Sequence, residues 1–136
     1  MSYSIDYRRA ARRHLEAAEK LSSARPKRQD VAGYLYGISA ELAVKEVMRD
    51  SGMRPLAVTN RRDDPFYAHY PELKTMLRDK AFGRRHGELR RIADDSRLMQ
   101  NWDITMRYAP ATDIQADWVQ RWAEQARELV SRMDTR

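Results

Sequence analysis

Residues 112–133 read TDIQADWVQRWAEQARELVSRM, the clearest helical pattern in the chain. Ile114, Trp118, Trp122, Ala126, Leu129 and Met133 recur at three- and four-residue steps, the period that stacks side chains on one face of an α-helix. Thr112 and Gln115 have the spacing of a capping box and predict a helix start there. Two tryptophans one turn apart on such a stripe fit a packed core or a dimer interface better than a ligand platform.

The same period extends toward the N-terminus. A first helix is predicted from Ile5 to Ser23, with Tyr7, Ala11, His14 or Leu15, Ala18 and Leu21 inward and Arg8, Arg9, Arg12 and Arg13 on the other face. Pro26 closes the connection, and Asp30 is placed to cap a second helix that runs to about Arg49 and stops at Gly52. Val31, Leu35, Ile38, Leu42 and Val47 or Met48 form its expected core stripe. Gly33, Gly37 and Ala40 lie on an adjacent line where another helix can approach closely. Residues 53–70, with Pro55, Asn60 and Pro65, lack periodicity and predict a long loop. Pro71 suits the first turn of a third helix facing inward through Leu73, Met76 and Leu77. After a basic break between Gly83 and Gly87, a fourth helix is expected to bury Leu89, Ile92, Ala93, Ser96 and Met99, ahead of a loop from Asn101 to Pro110. No segment alternates as a strand does. The expected fold is all-α, an up-and-down bundle of about five helices forming one domain over residues 1–136.

With 136 residues, 42% hydrophobic and 34% charged, the chain can bury one core. No apolar run approaches the roughly 20 residues that span a bilayer, and the N-terminal residues lack a secretory pattern, so a cytoplasmic protein without membrane attachment is expected. The absence of cysteine excludes disulfides, thiolate nucleophiles and zinc–thiolate sites. The net charge of +6 is concentrated. Residues 1–28 hold eight Lys/Arg against three Asp/Glu, and residues 61–91 hold nine against five. Such clustering fits a polyanion footprint, although 21 of the 26 basic residues are Arg and base composition alone produces part of the bias.

There is no glycine-rich phosphate loop, no Gly-x-Ser-x-Gly elbow and no His-Glu-x-x-His pair. The three histidines are far apart and none has a carboxylate at metal-ligand spacing, so neither metal nor cofactor is expected. Arg8 and Arg9 precede His14, and Arg62 precedes His69, at spacings from which histidine could move a proton while arginine steadies a phosphate. Arg9 and His14 nevertheless lie about 140° apart on a helix. His69, just ahead of Pro71, serves equally well as a cap. Glu41 and Lys45 have helix-stabilising spacing on the second helix, or make a polar contact inside the bundle. Arg107 and Tyr108 are the residues best suited to a polar site, through a planar guanidinium and a phenol, or else tie their loop to Asp103.

Three segments together resemble the HEPN family, the higher-eukaryote and prokaryote nucleotide-binding domain: residues 32–45 (AGYLYGISAELAVK), residues 69–77 (HYPELKTML) and residues 102–110 (WDITMRYAP). The resemblance implies a helical bundle, often a homodimer, that binds RNA, a nucleotide or a protein partner such as a nucleotidyltransferase or defence component, in a toxin–antitoxin or phage-defence system. It also implies two alternatives, a metal-independent endoribonuclease and a non-catalytic scaffold or antitoxin-like partner. Catalytic relatives carry an arginine separated by four to six intervening residues from a histidine late in the domain. Here Arg97 is followed by Trp102, and no histidine follows His86. The expected binding residues are Arg97, Arg107, Tyr108, Arg8, Arg9, Arg12, Arg13, Arg84 and Arg85, and the candidate catalytic residues are His69, His14 and Arg9.

Overall fold

The computed structural model of the chain describes residues 3–80 and 87–135, which contain five α-helices and no strand. They are α1 (Tyr7–Ser23), α2 (Gln29–Asp50), α3 (Glu72–Lys80), α4 (Gly87–Asp94) and α5 (Ala116–Asp134). The fold is thus the all-α bundle that the periodicity predicts. Near one end the Tyr36 hydroxyl donates to Glu19 at 2.7 Å, and near the other Arg8 Nε donates to Glu46 at 3.1 Å, so α1 and α2 are antiparallel. Arg127 reaches Glu19 at 2.8 Å while Arg8 reaches Asp134 at 2.9 Å, which sets α5 antiparallel to α1 and parallel to α2. The α3–α4 pair packs beside this layer and occupies the crossover.

Central placement decides which face of α2 is buried. Ala32, Gly33, Tyr36, Gly37, Ala40, Ala43, Val44, Val47 and Met48 are buried, whereas Val31 is 41% exposed and Leu35, Ile38 and Leu42 are only half-buried. The expected stripe is therefore corrected. A helix flanked on several sides needs small residues where neighbours come closest, and its larger side chains take the periphery. The glycine line is filled from within the chain. A Cβ at Gly37 would lie 1.9 Å from Trp102 Nε1, and one at Gly33 would lie 2.9 Å from Trp122 Cζ3. Gly33 thus meets Trp122 and Val119 of α5, the close helix approach expected there, while Gly37 receives the Trp102 indole from the loop before α5.

Several boundaries also differ. The side chain of Asp6 caps α1 by accepting from the Arg9 amide at 3.0 Å, leaving Ile5 outside and 70% exposed. Asp30 lies within the first turn of α2 without capping it, and Thr112 falls in a separate 3-10 turn (Ala111–Asp113), so no capping box forms. Capping requires the side chain at the residue whose backbone leaves the helix, and α5 begins later than the motif implies. Gly52 takes φ 93 after α2, as a terminating glycine does. Helix α4 ends at Asp94, so Ser96 lies exposed beyond it, and Met99 is buried from a turn at φ 53. Within the loop after α2, Asp64 is 1% exposed and accepts from the amides of Leu56 at 2.8 Å and Phe66 at 3.0 Å. The segment expected as a loop, which also contains 3-10 turns at Val58–Asp63 and Pro65–Tyr67, thereby gains a fixed core.

Candidate functional site

A buried charge on α2 lies at the centre of the candidate site. Glu41 is 3% exposed and Lys45, one turn later, 4% exposed; Lys45 Nζ donates to Glu41 Oε2 at 3.0 Å. Burying two charges is costly unless each is paired and hydrogen-bonded. The second partner of Glu41 comes from the other side of the loop. His69 Nδ1 lies 2.9 Å from Glu41 Oε1 and 3.1 Å from Oε2. A carboxylate accepts, so the contact fits a proton on Nδ1 donated to Glu41. The His69 side chain is 42% exposed, so a carboxylate held inside the bundle orients an imidazole that reaches solvent.

Aromatic packing locks this dyad to the third motif segment. Trp102 is 2% exposed and donates from Nε1 to the Gly33 carbonyl at 3.2 Å. It stacks on Tyr34 with centroids 6.0 Å apart and meets Tyr70 edge-on at 6.2 Å. Tyr70 is fully buried and its hydroxyl has no hydrogen-bond partner. Burial, then the nearby Glu41 charge, pushes that phenol well above its ordinary range, so it stays protonated. Asp103 follows Trp102 and begins a 3-10 turn (Ile104–Tyr108), accepting at Oδ1 from the Thr105 amide at 2.9 Å and its hydroxyl at 2.6 Å. The Thr105 hydroxyl, then its amide, hold the Asp103 carboxyl below its usual range, and His69 adds a smaller electrostatic contribution.

Arg107 and Tyr108 lie at the end of that turn. The guanidinium stands over the Tyr108 ring, 4.9 Å from its centroid, and Tyr108 is 75% exposed. Interaction with the Tyr34 phenol, then with Tyr108, raises the Arg107 pKa further. The contact anticipated between Arg107 and Asp103 is replaced by the Asp103–Thr105 pair. A cleft of about 400 Å³ runs from Tyr70 and Lys74 to Trp102 and Asp103; His69 does not line it.

The remaining candidates lie elsewhere. His14 Nδ1 contacts the Ala10 carbonyl at 2.7 Å, and Arg9 lies 3.6 Å from Asp6, so nothing joins these two as a catalytic pair. Arg8 binds Glu46 and Asp134, and Arg12 also binds Asp134. Two of the four arginines on α1 thus clasp the ends of α2 and α5, while Arg13 is exposed without an ion pair among the described residues. Arg84 and Arg85 lie outside the described residues. Arg97 lies in the turn after α4, away from the dyad, in a groove with α5. The described residues hold no group of three or more His, Cys, Asp or Glu able to bind a metal, and no helix is long and apolar enough to cross a membrane. Comparison of the chain with protein-family profiles, with curated proteins and with solved structures gave no match.

Proposed function

We propose that the chain is a HEPN-type helical module that binds RNA or a nucleotide on the face formed by His69, Asp103, Arg107 and Tyr108, within a toxin–antitoxin or phage-defence system. The observation that carries this reading is the convergence of the three resembling segments on one another. Glu41 of the first holds His69 of the second, and Trp102 of the third donates to Gly33 of the first while packing on Tyr70 of the second. An exposed tyrosine with an arginine over its ring supports the choice of ligand, because bases stack on such a surface and the guanidinium takes a phosphate. Asp103 Oδ2, without a hydrogen-bond partner among the described residues, can accept from a base amine or a ribose hydroxyl. The test is titration of labelled single-stranded RNA and of mononucleotides into wild type, Arg107→Ala and Tyr108→Ala. Binding that is weakened by both substitutions supports the assignment, and binding that neither changes rejects it.

The Glu41–His69 pair favours a second reading, metal-independent endoribonuclease activity centred on His69. A carboxylate-oriented imidazole on a partly exposed side chain is an arrangement a general base uses on a 2′-hydroxyl. Arginine cannot take that role, since it stays charged at physiological pH. Incubation of the protein with labelled RNA in the presence of a chelator separates the two readings. Cleavage that His69→Ala removes establishes the second, and binding without cleavage establishes the first.

A further inference from the structure

Away from the His69 face, a groove of about 420 Å³ runs between α4, the turn over residues 95–101 and α5, with Arg91, Arg97 and Arg132 along it. We propose that this groove is a second phosphate-binding site, in which Arg91 and Arg97, with Arg132 at its edge, hold a phosphate group of a nucleotide or of an oligonucleotide backbone. The inference shares its ligand class with the reading above but none of its residues.

The charge balance of the groove is uneven in a specific way. Its two carboxylates are already engaged: Glu128 pairs with Arg132 at 2.9 Å, and Asp95 accepts from the Arg97 amide at 3.0 Å. The guanidiniums of Arg91 and Arg97 have no hydrogen bond or ion pair among the described residues. By contrast, Arg8, Arg12, Arg49, Arg78, Arg121 and Arg127 all hold carboxylates. Two free forks beside a third that is only locally paired suit a tetrahedral phosphate, whose several oxygens can accept from more than one guanidinium.

The turn that presents Arg97 is held by side chains on both flanks. Gln125 accepts from the Met99 amide at 2.8 Å and donates to the Arg97 carbonyl at 2.8 Å. Trp122 Nε1 donates to the Gln100 carbonyl at 2.9 Å, and Lys74 donates to the carbonyls of Asp95 and Leu98, the latter at 3.2 Å. These bonds hold Met99 at φ 53 and Asn101 at φ 71, a left-handed conformation that costs a side-chain-bearing residue free energy. The carbonyls of Asp95, Arg97, Leu98, Met99 and Gln100 are thus bonded within the protein, and Arg97, which lines the groove, has a guanidinium without a partner among the described residues. The braced backbone fixes where Arg97 leaves the turn, so a ligand there orders the side chain but not the turn.

The test uses the full chain and the arginine Nε–H resonances of Arg91 and Arg97, assigned from the Arg91→Gln and Arg97→Gln variants. The probes are inorganic phosphate, a uridine mononucleotide and a short oligouridylate, with sodium chloride at matched ionic strength as control. Both resonances should move together with phosphate and with at least one uridine ligand, but not with chloride. The Arg91→Gln/Arg97→Gln double variant should bind that ligand about tenfold or more weakly while keeping its circular dichroism. A response to the mononucleotide alone assigns a free nucleotide, and a stronger response to the oligomer assigns the backbone. Resonances that stay in place, or move equally with chloride, overturn the groove. An unresponsive groove in a protein whose RNA affinity still falls on Arg107→Ala rejects the groove alone. A responsive groove in a protein indifferent to Arg107→Ala rejects the His69 face alone.

Discussion

Gly37→Ala tests the packing that positions the candidate site. The added methyl would lie 1.9, 2.1 and 2.6 Å from Nε1, Cε2 and Cδ1 of Trp102, where carbon contacts normally settle near 3.5–4.0 Å. The indole must retreat by about 1.5 Å. It is a rigid ring, 2% exposed, held by its bond to the Gly33 carbonyl and by Tyr34 and Tyr70, so the retreat breaks the hydrogen bond and disturbs both aromatic contacts. Overpacking costs about 1–3 kcal/mol and an unsatisfied buried donor about 1–3 kcal/mol, against a helix-propensity gain of about 1 kcal/mol. The expected loss is about 2–4 kcal/mol, or roughly 6–12 °C in Tm for a chain of this size. Gly33→Ala is the internal control. Its methyl would meet Trp122 and Val119 at 2.9–3.1 Å, so the Trp122 indole must give by about 0.6 Å, a smaller retreat than at Gly37, and after the same propensity gain the net loss should be about 1 kcal/mol. Urea unfolding followed by tryptophan fluorescence, with near-ultraviolet circular dichroism for the Trp102 environment, measures both variants. Equal stability of the two, or a greater loss at Gly33, would refute the placement of Trp102 over Gly37.

Three further outcomes follow from the charges. Glu41→Gln leaves the Lys45 ammonium buried without its counter-charge and should cost about 3–5 kcal/mol in urea unfolding; Glu41→Gln with Lys45→Met should recover part of that loss. Glu46 is held below its ordinary pKa by Arg49 first and Arg8 second, against opposing desolvation, so the folded state binds its proton less readily than the unfolded chain. Its contribution is complete above the ordinary carboxylate range and lost as pH falls through the depressed folded value, so Glu46→Gln should flatten the acid side of a Tm–pH curve and leave the slope above neutrality unchanged. For the proposed RNA face, Arg107→Ala should lower the slope of log affinity against log salt by about one, and an unchanged slope would remove Arg107 from phosphate contact.

Much of the bundle was legible in the sequence because periodicity reports which side of a helix is buried. Helix α5 keeps Trp122, Ala126, Leu129 and Met133 buried as its stripe implies, while its first tryptophan, Trp118, is half-buried against the core. Helix α2 misled for the same reason. Enclosed by neighbours on several sides, it has no single apolar face, and the periodic reading selected Val31, Leu35, Ile38 and Leu42 over the small residues that meet the indoles. Caps misled because Ser, Thr, Asp and Asn are common, and only backbone geometry distinguishes Asp6, which caps, from Asp30, which does not. The site was legible residue by residue but not as an assembly. Glu41, His69, Arg107 and Tyr108 all stood out, yet Glu41 and His69 meet across 28 positions and Trp102 reaches Gly33 across 69. No local period encodes such pairings. Asp64 had a signal that local reading did not use, since an Asp just before Pro65 is a frequent organiser of its own turn.

The cost of the Glu41 cluster argues that it does more than stabilise the fold. Replacing a buried ion pair with apolar residues of similar size is often neutral or stabilising, so packing alone gives little reason to place Glu41 and Lys45 inside α2. Tyr70 adds a second expense, a buried hydroxyl without a partner that phenylalanine would avoid. These groups lie beneath His69, the one histidine in the described residues that contacts a carboxylate, and beside the aromatic contacts that hold Trp102 and hence Asp103. Lys45 donates to Glu41, and Glu41 in turn orients the His69 ring through Nδ1. If the cluster serves only the fold, Tyr70→Phe and a Glu41→Leu/Lys45→Met pair should lower stability, with RNA binding changing only as far as the fold is lost. If it serves the site, the same substitutions should preserve or raise Tm while weakening RNA binding, and the loss should grow when His69 is also replaced by a residue that cannot accept. Stability and binding that fall together in every variant would refute this separation and return the cluster to a structural role.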